Sequence, residues 1–244
     1  MTGEWSERLL ADFGGGGRRT FSMHLIGVEQ QPVAVVEGLS LDPEALITYA
    51  TSGEPFRSMP GDFYPGIRKP APQGYAEDLC AQYGELLRDR FAMPAHSVAR
   101  VIFCALSITT TEPHRLRPVQ KVPHFDTSAA NQLAIVHFLC GPEHGGTSFY
   151  RHRSTGFETI SQERIQRYSA LLKREVMEEH SPAAGYIDGD DALFVRIASY
   201  EARCNRALIY PSNCLHSGDI RRLASPEASP RVSRLTVNSF VRFE

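Results

Sequence analysis

The sequence predicts a mainly β fold with flanking helices, built as an antiparallel sandwich or barrel. Short apolar runs separated by Gly- and Pro-containing turns fill the second half of the 244-residue chain, which is typical of such folds. Helical periodicity appears before these runs and once between them. Because helices and strands do not alternate regularly there, the pattern argues against a parallel βαβ sheet.

Three segments carry the features of helices. Ser40-Leu-Asp-Pro43 is a helix start, because a capping residue is followed by proline in the first turn, and this helix should reach about Ala50. Apolar residues near helical spacing predict a second helix over 74–91. The charged, periodic stretch 161–179 predicts a surface helix inserted among the strands.

The strands are predicted where apolar residues run together between turn signals. The most apolar of these runs is Arg100-Val-Ile-Phe-Cys-Ala-Leu-Ser-Ile108, which is typical of a buried strand. The predicted strands are 100–108, 119–126, 131–139, 146–150, 192–200, 206–211 and 233–243.

The length of the chain suits a single domain over residues 1–244. We expect residues 100–244 to form the β core with the inserted helix. Residues 1–99 are predicted to form an extension of helices and loops that packs on the barrel.

One segment of this extension, residues 55–72, is rich in Pro, Gly and aromatic residues and predicts an ordered irregular loop. Three of its residues, Tyr64, Arg68 and Lys69, are candidates for a lid.

The composition excludes several classes of protein. Lys and Arg number 26 against 28 Asp and Glu, so there is no basic excess for binding nucleic acid. No stretch approaches the roughly 18 apolar residues that a membrane span needs, and the first residues lack the apolar core of a secretory signal. The five cysteines form no C-x-x-C pair, so reduced thiols in a cytoplasmic protein are expected.

The first candidate for chemistry is Pro123-His124-Phe125-Asp126. On a strand, residues i and i+2 project to the same side, so His124 and Asp126 can meet one metal ion. Two histidines and one carboxylate on one face, with other positions open, form the arrangement of non-heme Fe(II) oxygenases. One H-x-D triplet is weak support by itself, because a simple pair at a strand edge also explains it. A third ligand must come from elsewhere.

A second histidine follows later in the chain. The apolar strand 206–211 enters a turn that leads to His216. Alone, a histidine before Ser-Gly-Asp is more often a turn residue than a metal ligand. Its position after the H-x-D triplet makes it the candidate for the third ligand.

An arginine then enters the last apolar strand. A buried guanidinium needs an anion partner, and its planar fork suits a carboxylate. Arg234 is preferred, because Arg234, Thr236 and Asn238 share one face of the strand. Arg231 is the alternative, although its place beside a proline favours the entering loop.

In this order, the motifs resemble those of the Fe(II)/2-oxoglutarate-dependent oxygenases and are similar to a group of small bacterial members. The resemblance covers about residues 100–243. It rests on PHFD at 123–126, GGTSFY at 145–150, LIY at 208–210 with His216, and RLT at 234–236. It implies a double-stranded β-helix, also called a jelly roll or cupin-like barrel, with helices packed outside.

The resemblance also implies roles for the candidate residues. His124, Asp126 and His216 would be the catalytic residues that hold Fe(II). Arg234, or alternatively Arg231, would bind the distal carboxylate of 2-oxoglutarate. Thr236 and Asn238 are secondary candidates for holding the co-substrate or a ligand histidine.

The chemistry implied by the resemblance is hydroxylation of a small molecule or an amino-acid-derived substrate, with use of O₂ and release of succinate and CO₂. Desaturation and cyclisation are alternative outcomes. Halogenation is disfavoured, because Asp126 occupies the place where a halogenase would have Ala or Gly. Two other functions are open: a metal-binding jelly roll that does not use 2-oxoglutarate, and a non-catalytic binding protein. The sequence makes no prediction of oligomeric state.

Overall fold

The computed structural model describes residues 8–9, 19–59, 61, 63–179 and 184–244. The strands are β1 (Arg8–Leu9), β2 (Thr20–Ile26), β3 (Gln31–Glu37), β4 (Gly66–Pro70), β5 (Ala99–Thr109), β6 (Gln132–Phe138), β7 (Gly145–His152), β8 (Phe194–Glu201), β9 (Arg206–Pro211), β10 (His216–Ile220) and β11 (Leu235–Phe243). The helices are α1 (Pro43–Thr51), α2 (Tyr75–Arg90) and α3 (Ile165–Arg174), and α3 continues as a π-helical turn over Glu175–Glu179. In the described part of the chain, none of the helices is long and apolar enough to cross a membrane.

The strands pair antiparallel in two sheets that together form the double-stranded β-helix. The large sheet has the order β1-β2-β3-β9-β6-β11-β5-β4, and the small sheet has the order β10-β7-β8. Phe138 and Tyr210 of the large sheet pack in one cluster with Phe149 of the small sheet, so the two sheets enclose a shared interior. This architecture confirms the predicted fold class.

Two helices cover the outer face of the large sheet. Leu46 of α1 packs in a cluster with Val237 of β11, and Leu87 of α2 packs in a cluster with Ile209 of β9. Because side chains alternate along a strand, β11 turns Leu235 and Val237 toward the helices. Thr236, which lies between them, and Arg234, just before β11, therefore face the interior.

Most predicted elements are confirmed to within a few residues, including all three helices. The start of α1 is capped by Asp42, whose carboxylate accepts a hydrogen bond from the Ala45 N–H at 2.9 Å. The predicted strand 119–126 is wrong. A 3₁₀ turn occupies Pro118–Gln120, and beyond it only His124 makes a bridge, to His216.

The expectation that residues 1–99 contain only helices and loops is also wrong. Here β3 pairs with β9 and β4 pairs with β5, so both strands belong to the large sheet. The strand β4 is short and ends in proline, a residue depleted in strands, which hid it in the sequence.

The lid role expected for Lys69 is not supported. Its side chain is buried, and its Nζ donates to the carbonyl oxygens of Tyr49, at 2.8 Å, and Ser52 at the end of α1. Lys69 therefore ties α1 to β4 on the outer face of the sheet.

Candidate metal centre

The backbone brings His124 and His216 together. The N–H of His124 donates to the carbonyl of His216 at 2.9 Å, and the N–H of His216 donates to the carbonyl of His124 at 2.8 Å. Residues paired in this way across antiparallel segments project their side chains to the same face. Their ring centroids are 4.3 Å apart. The segment around His124 thus extends the small sheet beyond β10.

Asp126 joins the two histidines from two residues further along. One of its carboxylate oxygens lies 3.9 Å from Nε2 of His124, and the other lies 3.9 Å from Nε2 of His216. The possible ligand atoms of the three residues all lie within 4.8 Å of one another. The structure therefore brings together the three residues singled out in the sequence, while their role as metal ligands stays a prediction.

The hydrogen bonds around this group leave its donor atoms available. Nδ1 of His216 lies 3.0 Å from the carbonyl oxygen of Cys214, so it carries the proton, and Nε2 keeps its lone pair. The Oδ2 atom of Asp126 is buried and has no hydrogen-bond partner among the residues that the structure describes. Leaving a buried acceptor unsatisfied is costly, so the group has a place for a cation.

Burial also sets the charges of these residues. Desolvation raises the pKa of Asp126 to about 6, against the opposing effect of His124 and Arg68. Desolvation lowers the pKa of His216 to about 4, and desolvation together with the neighbouring His216 also lowers the pKa of His124. Two neutral imidazoles and a carboxylate are the states that bind a divalent metal.

The group is open on one side. The side chain of His124 is 50% exposed, whereas the side chains of Asp126 and His216 are 13% and 7% exposed. A small molecule can therefore approach from the side of His124.

Arg234 presents a buried cation on the inner face of the large sheet. Its Nη2 donates to the carbonyl of Gly146 at 2.7 Å, and its Nε is buried with no hydrogen-bond partner in the described ranges. Within the described part of the chain, no carboxylate lies within ion-pair distance of it. The Thr236 hydroxyl is also buried without a partner. Since a buried guanidinium needs an anion, this place fits a carboxylate ligand.

Gly218 and Tyr210 connect Arg234 with the three-residue group. Gly218 lies two residues after His216 on β10, and a Cβ on it would stand 3.4 Å from the guanidinium of Arg234. The ring of Tyr210 packs against that of His216 with centroids 4.8 Å apart. Burial and the negative charge of Asp126 raise the pKa of Tyr210, whereas Arg234 lowers it. Arg234 and the metal-ligand candidates therefore lie near one another between the two sheets.

The two candidate arginines lie in different surroundings. Arg231 is on the 3₁₀ turn Pro230–Val232, where its guanidinium pairs with Glu44 and reaches the Thr48 hydroxyl of α1 at 3.3 Å. It faces the outer helix, so its assignment to the co-substrate is not supported. Asn238 shares the inner face with Thr236 and stays a secondary candidate.

Sequence reasoning missed two residues on the inner face of the large sheet. Arg68, expected in a lid loop, lies on β4 with its guanidinium carbon 4.4 Å from the ring centroid of Tyr64 and 5.0 Å from that of Phe103. Ser107 of β5 has a buried hydroxyl without a partner. The alternation of Ser107 and Thr109 with apolar residues was the available signal for a polar inner face.

Comparison with known proteins gives a family for this chain. Residues 18–241 match a family of unknown function, DUF6445. The chain belongs to this family. No curated protein matches it.

Three solved structures illustrate the similarity of fold. The non-heme alpha ketoglutarate dependent carbocyclase SnoK from nogalamycin biosynthesis has a TM-score of 0.50 at 11% identity, covering 88% of this chain and 80% of SnoK. The epimerase SnoN from the same biosynthesis has 0.49 at 12%, covering 87% and 78%. HygX from Streptomyces hygroscopicus, with nickel and 2-oxoglutarate bound, has 0.49 at 13%, covering 88% and 84%. At such identities the likeness shows the fold alone.

Proposed function

We propose that this protein is an Fe(II)- and 2-oxoglutarate-dependent oxygenase that hydroxylates a small molecule or an amino-acid-derived substrate. The observation that carries the proposal is the convergence of His124, Asp126 and His216 between the two sheets, near the buried Arg234, whose Nε has no hydrogen-bond partner among the described residues. Two imidazoles and a carboxylate, with the fourth side open, match the donor set that non-heme Fe(II) oxygenases use.

The residues present fit the metal. The buried Oδ2 of Asp126 lacks a donor, and the hydrogen bond from His216 to Cys214 leaves Nε2 free to ligate. The Cys214 carbonyl holds the imidazole in one orientation, as partners of ligand histidines commonly do. A divalent cation would bind both Oδ2 of Asp126 and Nε2 of His216.

The residues present also fit 2-oxoglutarate. Its distal carboxylate would pair with Arg234 and accept a hydrogen bond from Thr236. This would satisfy the Nε of Arg234 and the Thr236 hydroxyl, which are buried without hydrogen-bond partners among the described residues. Gly218 leaves the space beside the guanidinium open. Asn238 would line the same face further along β11.

When bound, Fe(II) with 2-oxoglutarate and O₂ supplies the oxidation in which one oxygen atom enters a substrate C–H bond and the other enters succinate, with release of CO₂. The protein's own part is positioning. His124, Asp126 and His216 fix the metal, Arg234 orients the co-substrate, and the apolar walls exclude water. Phe138, Phe149 and Tyr210 form those walls.

Hydroxylation is the proposed outcome because it requires no reacting component beyond the metal, 2-oxoglutarate, O₂ and the substrate. Cyclisation is the reaction named for SnoK, and it uses the same co-substrate. The choice between them depends on the substrate, which enters from the side of His124.

The test is to measure 2-oxoglutarate binding and turnover in the purified protein. We expect the Ni(II)-loaded protein to bind 2-oxoglutarate in calorimetry, and the Fe(II)-loaded protein to convert it slowly to succinate. Asp126→Ala should abolish both, whereas Arg231→Met should change neither. Metal binding without 2-oxoglutarate binding would instead favour a metal-dependent jelly roll with other chemistry. A protein that binds no metal would be better described as a non-catalytic binding protein.

A further inference from the structure

The outer face of the small sheet carries a second group of polar residues. Tyr150 of β7 packs on this face in one cluster with Tyr168 of α3. Because side chains alternate along a strand, Ser148 points to the same face as Tyr150. Asp219 of β10 joins them, since its carboxylate accepts a hydrogen bond from the Ser148 hydroxyl at 2.8 Å. The small sheet therefore separates this group from the metal-ligand candidates on its inner face.

The carboxylate of Asp219 is held in place but only half satisfied. Asp219 is 4% exposed, and its Oδ2 accepts hydrogen bonds from Ser148 and from Ser199 of β8, the latter at 3.1 Å. Its Oδ1 is buried and has no hydrogen-bond partner among the described residues. In the same part of the chain, no lysine, arginine or histidine lies within ion-pair distance of this carboxylate. Burying a carboxylate without a cation is costly.

The hydroxyl of Tyr150 is the second unsatisfied atom of this group. It is buried and, within the described ranges, has no hydrogen-bond partner. Burial and the negative charge of Asp219 raise the pKa of Tyr150, so the hydroxyl lies near the carboxylate. Arg196 of β8 opposes this shift, but its guanidinium pairs with Asp188 at 3.0 Å. Two oxygen atoms with free lone pairs therefore lie together beside an uncompensated negative charge.

The donor atoms and the charge together select the kind of ligand. A serine hydroxyl that donates its proton to a carboxylate keeps lone pairs for a cation. A set made only of oxygen atoms suits hard metal cations. One carboxylate balances one positive charge, whereas a divalent ion would leave a buried excess charge. The candidate donors are Oδ1 of Asp219 and the hydroxyls of Tyr150, Ser148 and Ser199. Ser199 is exposed, so an ion can enter from the side of β8.

We propose that the outer face of the small sheet binds a monovalent metal cation, Na⁺ or K⁺, between the Asp219 carboxylate and the Tyr150 hydroxyl. This site is separate from the group of His124, Asp126 and His216 and does not depend on the proposed oxygenase function. The cation neutralises Asp219 and holds β10 against β7 and β8. The stability of the fold should therefore depend on which monovalent cation is present.

The test compares thermal unfolding of the full-length protein, loaded with Zn(II), in the chlorides of Na⁺, K⁺ and the bulky N-methylglucamine cation at equal ionic strength. We expect Na⁺ or K⁺ to raise the melting temperature by about 3–6 °C when its concentration is about tenfold above Kd. The ion with the larger effect identifies the ligand. Asp219→Asn should abolish the difference between the salts, and Tyr150→Phe should reduce it.

A direct measurement keeps the proposal testable if Asp219→Asn folds poorly. The NMR resonance of the stabilising ion, sodium or potassium, should broaden when wild-type protein is added and should broaden less with Tyr150→Phe. Asp188→Asn is the matched control, because it removes an exposed carboxylate near the group and should keep the salt dependence.

Equal melting temperatures in the three salts would mean that water alone completes these groups, and this result would overturn the proposal. A salt dependence that persists in Asp219→Asn would also overturn it, as would a dependence that is lost in Asp126→Ala instead. The last result would place the monovalent cation at the metal centre. The metal-free protein should show the same difference between the salts, so failure of the oxygenase assignment would leave this test unaffected.

Discussion

Two buried histidines of this protein, His137 and His216, have the same ionisation and different surroundings. Desolvation lowers the pKa of each to about 4. His137 lies behind the large sheet, where Nδ1 is 2.8 Å from the Tyr75 hydroxyl and Nε2 is 3.0 Å from Oδ1 of Asn205. His216 lies between the sheets, where only Nδ1 has a hydrogen-bond partner and Nε2 faces Asp126.

This difference shows how a structural polar residue is told from a functional one. Behind the sheet, both ring nitrogens of His137 are satisfied by the protein itself. Between the sheets, four residues each keep a buried polar atom without a hydrogen-bond partner in the described part of the chain: Asp126, Arg234, Ser107 and Thr236. Each such atom costs about 1–3 kcal/mol, so these four atoms indicate ligands that would complete their hydrogen bonding.

The comparison predicts its largest effect in metal binding. Asp126→Ala and His216→Ala each remove a ligand, so Fe(II) affinity should fall by more than the roughly 10- to 100-fold typical for residues that only support a ligand. His137→Gln should leave Fe(II) affinity within about threefold of wild type, well inside that range. Anaerobic equilibrium dialysis measures all three. Equal losses of Fe(II) affinity in the His216 and His137 variants would contradict the distinction between the two histidines.

The next-largest effect is expected in the affinity for 2-oxoglutarate. Arg234→Met removes the buried cation, and loss of a charged hydrogen-bonded pair should weaken 2-oxoglutarate binding by about 10- to 150-fold. Arg231→Met is the matched control, because that side chain pairs with Glu44 on the outer face. Calorimetry on the Ni(II)-loaded protein measures both. A larger loss in the Arg231 variant would reassign the co-substrate site.

The residues of the interior were predicted from the sequence more accurately than the strands that extend the large sheet toward its edges. H-x-D, the distal histidine and Arg234 were recognisable because strand alternation fixes which residues share a face. The strands β3 and β4 were missed for two reasons. A proline lies near the start of β3 and another ends β4, and their pairing with β9 and β5 is long-range. The position of Arg68 opposite Ser107 depends on the pairing of β4 with β5, so no local pattern could place Arg68 on the inner face of the large sheet. Arg231 was kept as an alternative because it also lies a few residues before the Leu-Thr pair, and its pairing with Glu44, distant in the sequence, could not be predicted.

The third prediction concerns stability in acid. His137 has an ordinary pKa of 6.5 and a folded pKa of about 4, so the unfolded chain takes up its proton first as the pH falls. Stability present above pH 6.5 is therefore lost between about pH 6.5 and 4, by about 3 kcal/mol for this residue at 1.36 kcal/mol per pKa unit. Urea unfolding of the metal-free protein should show that the free energy of unfolding falls less with decreasing pH in His137→Gln than in the wild type. The exposed His114→Gln is the control, and identical pH profiles for wild type and His137→Gln would contradict the assignment.

The smallest effect is expected at Gly218. A methyl group there would stand 3.2 Å from Cδ1 of Ile220 and 3.4 Å from the Arg234 guanidinium. Gly218→Ala should weaken 2-oxoglutarate binding less than tenfold, because one methyl group crowds the site by about 1 kcal/mol. Ser217→Ala, on the opposite face of β10, should leave binding unchanged. An effect at Ser217 as large as that at Gly218 would place the co-substrate elsewhere.

The central claim is that the group between the sheets, unlike His137 behind them, binds iron and 2-oxoglutarate together. An anaerobic titration of the metal-free protein with Fe(II) and then 2-oxoglutarate tests it through the weak visible charge-transfer band of the chelate. The account predicts this band in the wild type and in His137→Gln, and its loss in Asp126→Ala and His216→Ala. A wild type that binds iron without developing the band, or a band that persists in Asp126→Ala, would contradict it.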